Sequence, residues 1–408
     1  MRPGRPTSGS RLSGSWLRVH AVEDTAVQLT WAGLPAREVT IGVGDRTVEV
    51  AAAPPVPRRH RRLGDRPMTP WPTGPGAVVV DGLEPGTSYP VWLREPGRAR
   101  HDSGRVTTLR PPPGALLTQF VTVSDLHVGE RRFGAVGALL DNAPPGQEPY
   151  PVRCARAALE EAKAWGAGVV VAKGDLTDRA SLPEIETAAG LLAGCGMRPL
   201  VQLGNHDASG SATPAAWVPR LFGPDSILAR DEHVATADLP GVRVVLGDSP
   251  APRSREGHLS PAQLDELVDA AASAGGPVVV CLHHPPMRWP VPVSYPPGID
   301  RDESRQLLVR LRRVNPAVVV LAGHSHRNRT YTVDGVRVAE IGSTKDYPGG
   351  WAGYAVHEGG IRQVVRRTSR PDVIAWTEST SAAVGGVWGR WSPGSLADRC
   401  WSYTWPKS

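Results

Sequence analysis

Five short apolar runs in this chain each break off into aspartate, histidine or asparagine. Residues 119–124 run into Asp125-Leu126-His127, and 168–172 into Gly174-Asp175-Leu176-Thr177-Asp178. Residues 198–203 lead to Gly204-Asn205-His206-Asp207, 277–282 to His283-His284-Pro285-Pro286, and 317–322 to Gly323-His324-Ser325-His326. Between these runs lie stretches with helical apolar spacing: Arg153 to Trp165, Pro183 to Leu192, Ser260 to Ala274 and Arg301 to Arg312. Ser260 with Gln263 three residues on is a capping box. Strands that alternate with helices predict a parallel, layered α/β domain. Such sheets form their sites at the carboxyl ends of the strands. Five ends bearing Asp, His and Asn therefore predict one cluster at one edge. Val242 to Leu246 reads as a further strand, and Gly335 to Ile341 and Gly353 to Arg367 as later antiparallel ones.

Six of the 12 histidines fall in these five segments. A single His-x-His is commonplace in loops; five segments in phase with five strands point to a metal site. The donor set contains no cysteine, which excludes thiolate zinc and iron–sulfur centres. Imidazole, carboxylate and one amide oxygen suit Mn, Fe, Zn or Co. Seven candidate ligands exceed the needs of one ion. They suffice for two divalent ions sharing a carboxylate, an arrangement that clamps a phosphoryl group.

The segments D-x-H, G-D-x-x-D, G-N-H-D, H-x-P and G-H-x-H occur in that order across roughly residues 115–365, and together they resemble the calcineurin-like metallophosphoesterase family. The resemblance implies a dinuclear centre. One ion would be held by Asp125, His127 and His326, the other by Asn205, His283 and His324, with Asp175 bridging. His206 would act beside the phosphate as acid or transition-state stabiliser, oriented by Asp207. His284 would contact substrate or support a ligand. Asp178 would support His127 or His326, or cap the next helix. It stands where the purple acid phosphatase branch has a tyrosine, so an Fe(III)–tyrosinate centre is not expected. The implied reaction is hydrolysis of a small-molecule phosphate ester by a metal-activated hydroxide, as a phosphodiesterase of cyclic-nucleotide or glycerophosphodiester type. A phosphomonoesterase is the alternative, and a non-catalytic metal-binding scaffold a more distant one.

Residues 15–110 read differently, as seven short strands separated by turns, which suggests an antiparallel sandwich. Trp31 in an early strand, and Pro85-Gly86 followed by Tyr89 as a tyrosine corner, resemble a fibronectin type III domain. The expected organisation is thus an all-β sandwich over 1–112, an α/β catalytic domain (a layered β-sandwich flanked by helices) over 113–370, and a Trp-rich strap over 371–408. Pro111-Pro112-Pro113-Gly114 would be the stiff linker. Residues 1–112 carry 16 Lys+Arg against 10 Asp+Glu, whereas the remainder is neutral, which argues against nucleic acid as a partner. Arg58-Arg59-His60-Arg61-Arg62 is either a phosphate grip or a solvated loop. The N-terminal sandwich could recruit a protein partner, cover the site or stabilise the fold. No run approaches the ~18 apolar residues of a membrane span. The absence of a signal-like apolar segment and the four scattered cysteines lead to the expectation of a cytoplasmic protein. Loops 128–151, 208–230 and 286–300 are expected to set the substrate, with Pro144–Pro151, Trp289 and Tyr295 as candidate pocket residues.

Overall fold

The structure is a computed structural model that describes residues 16–55, 72–134, 139–209, 214–230, 234–251, 254–289 and 295–406. The Arg58–Arg62 run lies outside them. Seven strands build the N-terminal part: β1 (Arg18–Val22), β2 (Val27–Trp31), β3 (Glu38–Val43), β4 (Arg46–Ala51), β5 (Gly76–Val80), β6 (Ser88–Arg94) and β7 (His101–Thr107). They form a three-stranded sheet, β1-β2-β5, and a four-stranded sheet, β4-β3-β6-β7. Leu29, Trp31, Ile41, Val43, Val91 and Leu93 share the core between them. Tyr89 is the second residue of β6, and its hydroxyl accepts a hydrogen bond from the Glu84 backbone N–H at 2.8 Å.

The remainder is a four-layer α/β structure. In chain order it runs β8 (Leu116–Val123), a hairpin of β9 (Arg132–Phe133) and β10 (Leu140–Asp141), α1 (Tyr150–Ala164), β11 (Val169–Lys173), α2 (Leu182–Ala193), β12 (Arg198–Gln202) and α3 (Asn205–Ala208). Next come β13 (Ile227–Ala229), β14 (Val234–Leu239), β15 (Val242–Gly247), α4 (Pro261–Ala272), β16 (Val278–Leu282), α5 (Arg301–Val314), β17 (Val318–Ala322), β18 (Arg329–Val333) and β19 (Val336–Glu340). The chain ends with β20 (Gly350–His357), β21 (Gly360–Arg367), α6 (Pro371–Thr380), α7 (Trp388–Trp391), α8 (Leu396–Arg399) and β22 (Cys400–Thr404). One sheet has the order β13-β12-β11-β8-β20-β21-β22, the other β14-β15-β16-β17-β19-β18.

The pleat explains why the strands are apolar on both faces. Val169 and Val171 of β11 join Val279, Cys281, Val319 and Leu321 in the core between the sheets. Val170 and Ala172 face the other way, into the layer of α1 and α2. Val278, Val280, Val318 and Val320 likewise pack beneath α4 and α5. In β12, β11 and β8, and again in β15, β16, β17 and β19, neighbours pair in parallel, so their carboxyl ends share an edge within each sheet. Among the described residues, no helix is long and apolar enough to cross a membrane.

Two departures from expectation have local causes. β19 is antiparallel to β18 but inserts parallel beside β17. Asp334 and Gly335 both adopt positive φ and make the tight hairpin, while the neighbour β17 is chosen by the sheet. The tail is not merely a strap: α6 packs on α1 through stacked Tyr150 and Trp376 rings 4.2 Å apart, and β22 extends the seven-stranded sheet beside β21.

The N-terminal sandwich meets the α/β layers through β21, α6 and α8. Glu23 accepts from Arg366 Nε at 2.7 Å and from the Trp165 indole at 3.0 Å, and Arg362 pairs with Asp24 and Glu23. Gln28 donates to the Arg367 carbonyl at 2.7 Å and accepts from its N–H at 2.9 Å.

Candidate metal centre

The strand ends converge as the sequence predicts. After β8, Asp125 accepts the His324 backbone N–H at 3.1 and 3.2 Å on its two oxygens. Asp125 Oδ1 lies 3.4 Å from His326 Nε2, and His127 Nε2 lies 3.1 Å from that same nitrogen. On the other side, His283 Nε2 is 3.2 Å from Asn205 Oδ1, and the His283 and His324 rings are 5.1 Å apart. Asp175 stands between the groups. Its Oδ2 is 3.6 Å from His127 Nε2 and 3.3 Å from His283 Nε2, while its Oδ1 accepts the His206 N–H at 2.9 Å.

The backbone is bent to deliver these side chains. Asp125, His127, Asp175, His324 and His326 all have positive φ, between 46° and 66°. Left-handed backbone costs a non-glycine residue about 1–3 kcal/mol, and such strain collects at functional sites. Gly204 lies so close to the Asp175 carboxylate that a Cβ there would overlap it.

The imidazoles are locked from behind. His283 Nδ1 lies 2.8 Å from the Lys173 carbonyl, and His324 Nε2 lies 3.0 Å from the Pro297 carbonyl. His326 Nδ1 lies 2.7 Å from Asp346 Oδ2. A carbonyl or carboxylate only accepts, so each of these nitrogens donates. The opposite nitrogen of the neutral ring then presents a lone pair, the usual arrangement behind a metal-binding histidine. Among the described residues, buried His127 Nδ1 has no hydrogen-bond partner. Two lone-pair nitrogens facing each other, with carboxylates beside them, fit divalent cations. Triads Asp125/His127/His326 and His283/His284/His324 each bring their donor atoms within 4.8 Å of one another.

Beside these carboxylates a positive charge is favoured on the His326 and His283 rings, a charge that a bound cation would supply in place of the ring proton. Burial alone would lower His326, but Asp346 and Asp125 reverse it and raise it to about 10. Burial likewise opposes the charge on His283, and Asp175 overcomes it, giving about 9. His324, buried beside His283, is lowered to about 4. Burial works against the Asp175 charge too, but His283 and His127 outweigh it and hold its carboxyl well below the usual range.

Two expected roles are changed. Asp207 does not orient the His206 ring. Its carboxylate accepts from the backbone N–H groups of Leu176 at 3.1 Å, Thr177 at 2.9 Å and Gly204 at 2.9 Å, and from the Thr177 hydroxyl at 2.7 Å. It therefore ties the turn after β11 to the loop after β12. Burial and the Asp175 charge push its carboxyl up, and these hydrogen bonds pull it back. The ring of His206 is instead met by Asp178: Nδ1 lies 2.8 Å from the Asp178 carbonyl and 3.7 Å from its Oδ1. The cap of α2 belongs to Ser181, in a capping box with Glu184. His284 is wholly buried, with Nδ1 3.0 Å from the Ser249 hydroxyl.

The sequence reading missed Asp346 and Lys345. Both are buried, and Lys345 Nζ reaches Glu130 at 2.8 Å. A signal was present: β19 is a further parallel strand, and the polar Ser343-Thr344-Lys345-Asp346 follows its end on the same edge.

In comparisons with known proteins, the model of the calcineurin-like phosphoesterase family matches residues 118–328. A protein of Rhodococcus erythropolis named as a probable cyclic nucleotide phosphodiesterase is 33% identical over 144 residues. That stretch is 35% of this chain and 44% of the relative, so the match spans less than half of the relative's length. Among solved structures, purple acid phosphatase PPD1 from yellow lupin (Lupinus luteus) seeds is similar with a TM-score of 0.43 and 14% identity, over 88% of this chain and 73% of that one. PhoD is similar with a TM-score of 0.41 and 13% identity, over 90% and 88% of the two chains.

Proposed function

This chain belongs to the calcineurin-like phosphoesterase family and is a metal-dependent phosphoesterase; from that premise we propose that it is a two-metal phosphodiesterase acting on small diesters of cyclic-nucleotide or glycerophosphodiester type. The observation that carries the two-metal reading is Asp175 Oδ2, poised between His127 and His283 at 3.6 and 3.3 Å. In this reading Asp125, His127 and His326 hold one divalent transition-metal ion (Mn, Fe, Zn or Co). Asn205, His283 and His324 would hold the other, and Asp175 would serve both. When bound, two such cations would supply charge neutralisation at the phosphoryl oxygens and a water of lowered pKa. The amide of Asn205 adds no negative charge that would repel a phosphate.

The chain's own acid is His206. Its Nδ1 donates to the Asp178 carbonyl, which leaves Nε2 as the nitrogen that carries a mobile proton. A protonated Nε2 would donate to the departing ester oxygen, while the Asp178 loop holds the other side of the ring. Asp207 acts one step removed, by holding the Asp175 turn and the Asn205 loop at fixed separation.

The diester preference is supported by the name of the Rhodococcus relative over the aligned third of this chain. The test is turnover of bis-p-nitrophenyl phosphate against p-nitrophenyl phosphate by the Mn-loaded protein. The expected result is a higher kcat/KM on the diester. A clear monoester preference reverses the assignment, and no turnover of either ester favours a binding scaffold. The N-terminal unit is read as a fibronectin type III-like sandwich over 1–112. Its 3+4 strand arrangement and the Tyr89–Glu84 hydrogen bond support that reading. Four unpaired cysteines agree with a reducing, cytoplasmic setting.

A further inference from the structure

The loop after β19 is met by the C-terminal segment, to which no sequence motif assigns a role. Asp346 is completely buried there, and its two oxygens serve different partners. Oδ2 takes His326 Nδ1 at 2.7 Å and lies 3.5 Å from Lys345 Nζ. Oδ1 takes the indole N–H of Trp388 at 3.2 Å. A carboxylate held by one oxygen can still pivot; a donor on the second oxygen fixes its plane. The indole N–H is a donor only, so this contact has one polarity.

The chain is shaped to bring Trp388 to that place. Val384, Gly385 and Gly386 all have positive φ, at 52°, 61° and 85°, and reverse the chain after α6. The Trp388 ring then lies 6.0 Å from Phe133, 5.4 Å from Trp391 and 6.1 Å from His326. The following residues brace the loop beyond His326. Arg327 lies over Trp391 at 4.6 Å, Asn328 N–H donates to the Ser392 carbonyl at 2.8 Å, and Thr330 N–H donates to Asp398 at 2.8 Å.

We propose that Trp388 is a positioning residue of the metal centre: its indole N–H sets the orientation of Asp346 and, through it, the aim of His326 Nε2. The C-terminal segment is then a working part of the site. This inference rests on the two-metal reading above and adds to it a residue outside the family-matched span of 118–328.

The test is Mn²⁺ titration of the full-length protein by calorimetry and by competition with a chromophoric chelator. Wild type, Trp388→Phe, Asp346→Ala and the double variant are compared, with circular dichroism as the folding control. Phenylalanine keeps the ring packing and removes only the donor. The expected result is that one of the two Mn²⁺ ions binds about tenfold more weakly in Trp388→Phe and about 10–100-fold more weakly in Asp346→Ala. The double variant should be no worse than Asp346→Ala. Should alanine at 346 prevent folding, Asp346→Asn takes its place in the same cycle. Wild-type affinity in Trp388→Phe, or losses that multiply in the double variant, would overturn the proposal. Failure of the wild type to take up two Mn²⁺ ions is a separate result, which removes the two-metal reading and this inference with it.

Discussion

His206, Asp207 and Asp178 show how far adjacency in sequence can mislead. His206 and Asp207 sit in the first turn of α3, where successive side chains are rotated by about 100°. Neighbours in such a turn point apart, so the carboxylate next in sequence cannot support the ring, and Asp178 from another loop does. The account predicts different losses for the three. His206→Ala should lower kcat by about 10²–10⁴-fold while Mn²⁺ binding, read by calorimetry, stays intact. Asp207→Ala strands three buried N–H groups, those of Leu176, Thr177 and Gly204. At about 1–3 kcal/mol each, urea unfolding should show a loss of about 3 kcal/mol or more. Asp178→Ala should leave the urea midpoint nearly unchanged and lower kcat less than His206→Ala, because the backbone carbonyl still holds Nδ1. Equal destabilisation by the Asp178 and Asp207 variants would contradict this division. The meeting of the seven proposed ligand positions at one edge was legible because residue type and strand phase agree. Asp346 was harder to read, because the polar loop that bears it joins the site edge only once β19 is set parallel beside β17.

At the scale of elements, the contact between the sandwich and the α/β layers is built on buried charge. Glu23 of that contact is 5% exposed and faces Arg362, Arg366 and the Trp165 indole. Removing one member of such a group leaves the others buried and uncompensated, at a cost of about 3–5 kcal/mol. Glu23→Ala should therefore lower the calorimetric Tm, and an unchanged Tm would show that the charges are effectively solvated. His20 of β1 adds a pH dependence. Burial first, then the charges of Arg399 and Arg367, hold its pKa well below 6.5. As pH falls through 6.5 the unfolded chain takes up a proton that the folded chain refuses. Stability is thus fully present above pH 6.5 and declines below it, by at most about 1.4 kcal/mol per unit from this group. Tm of His20→Gln should decline less steeply than wild type between pH 7 and 5; parallel declines would contradict the assignment. The long apolar and alternating strands were readable from the sequence. Three-residue β13, the edge strands β14 and β18, and β22 were not, since their sequences are mixed and tertiary pairing decides them.

For the molecule as a whole, two back-to-back sheets place their parallel strand ends around one cluster, and the chain's remaining parts brace it. The sandwich presses on β21, α6 and α8, and the tail supplies β22 and Trp388. Composition and strand order made the layered α/β architecture readable. How the tail joins the site was unreadable, because it depends on an edge pairing and a glycine turn rather than on a motif. The claim at the centre of the account is that Asp175 lies between two cations. Anomalous diffraction from Mn²⁺-loaded crystals measures this directly. The account predicts two peaks, one among Asp125, His127 and His326 and one among Asn205, His283 and His324, each in contact with Asp175. A single peak, or a pair in which only one ion touches Asp175, would contradict it.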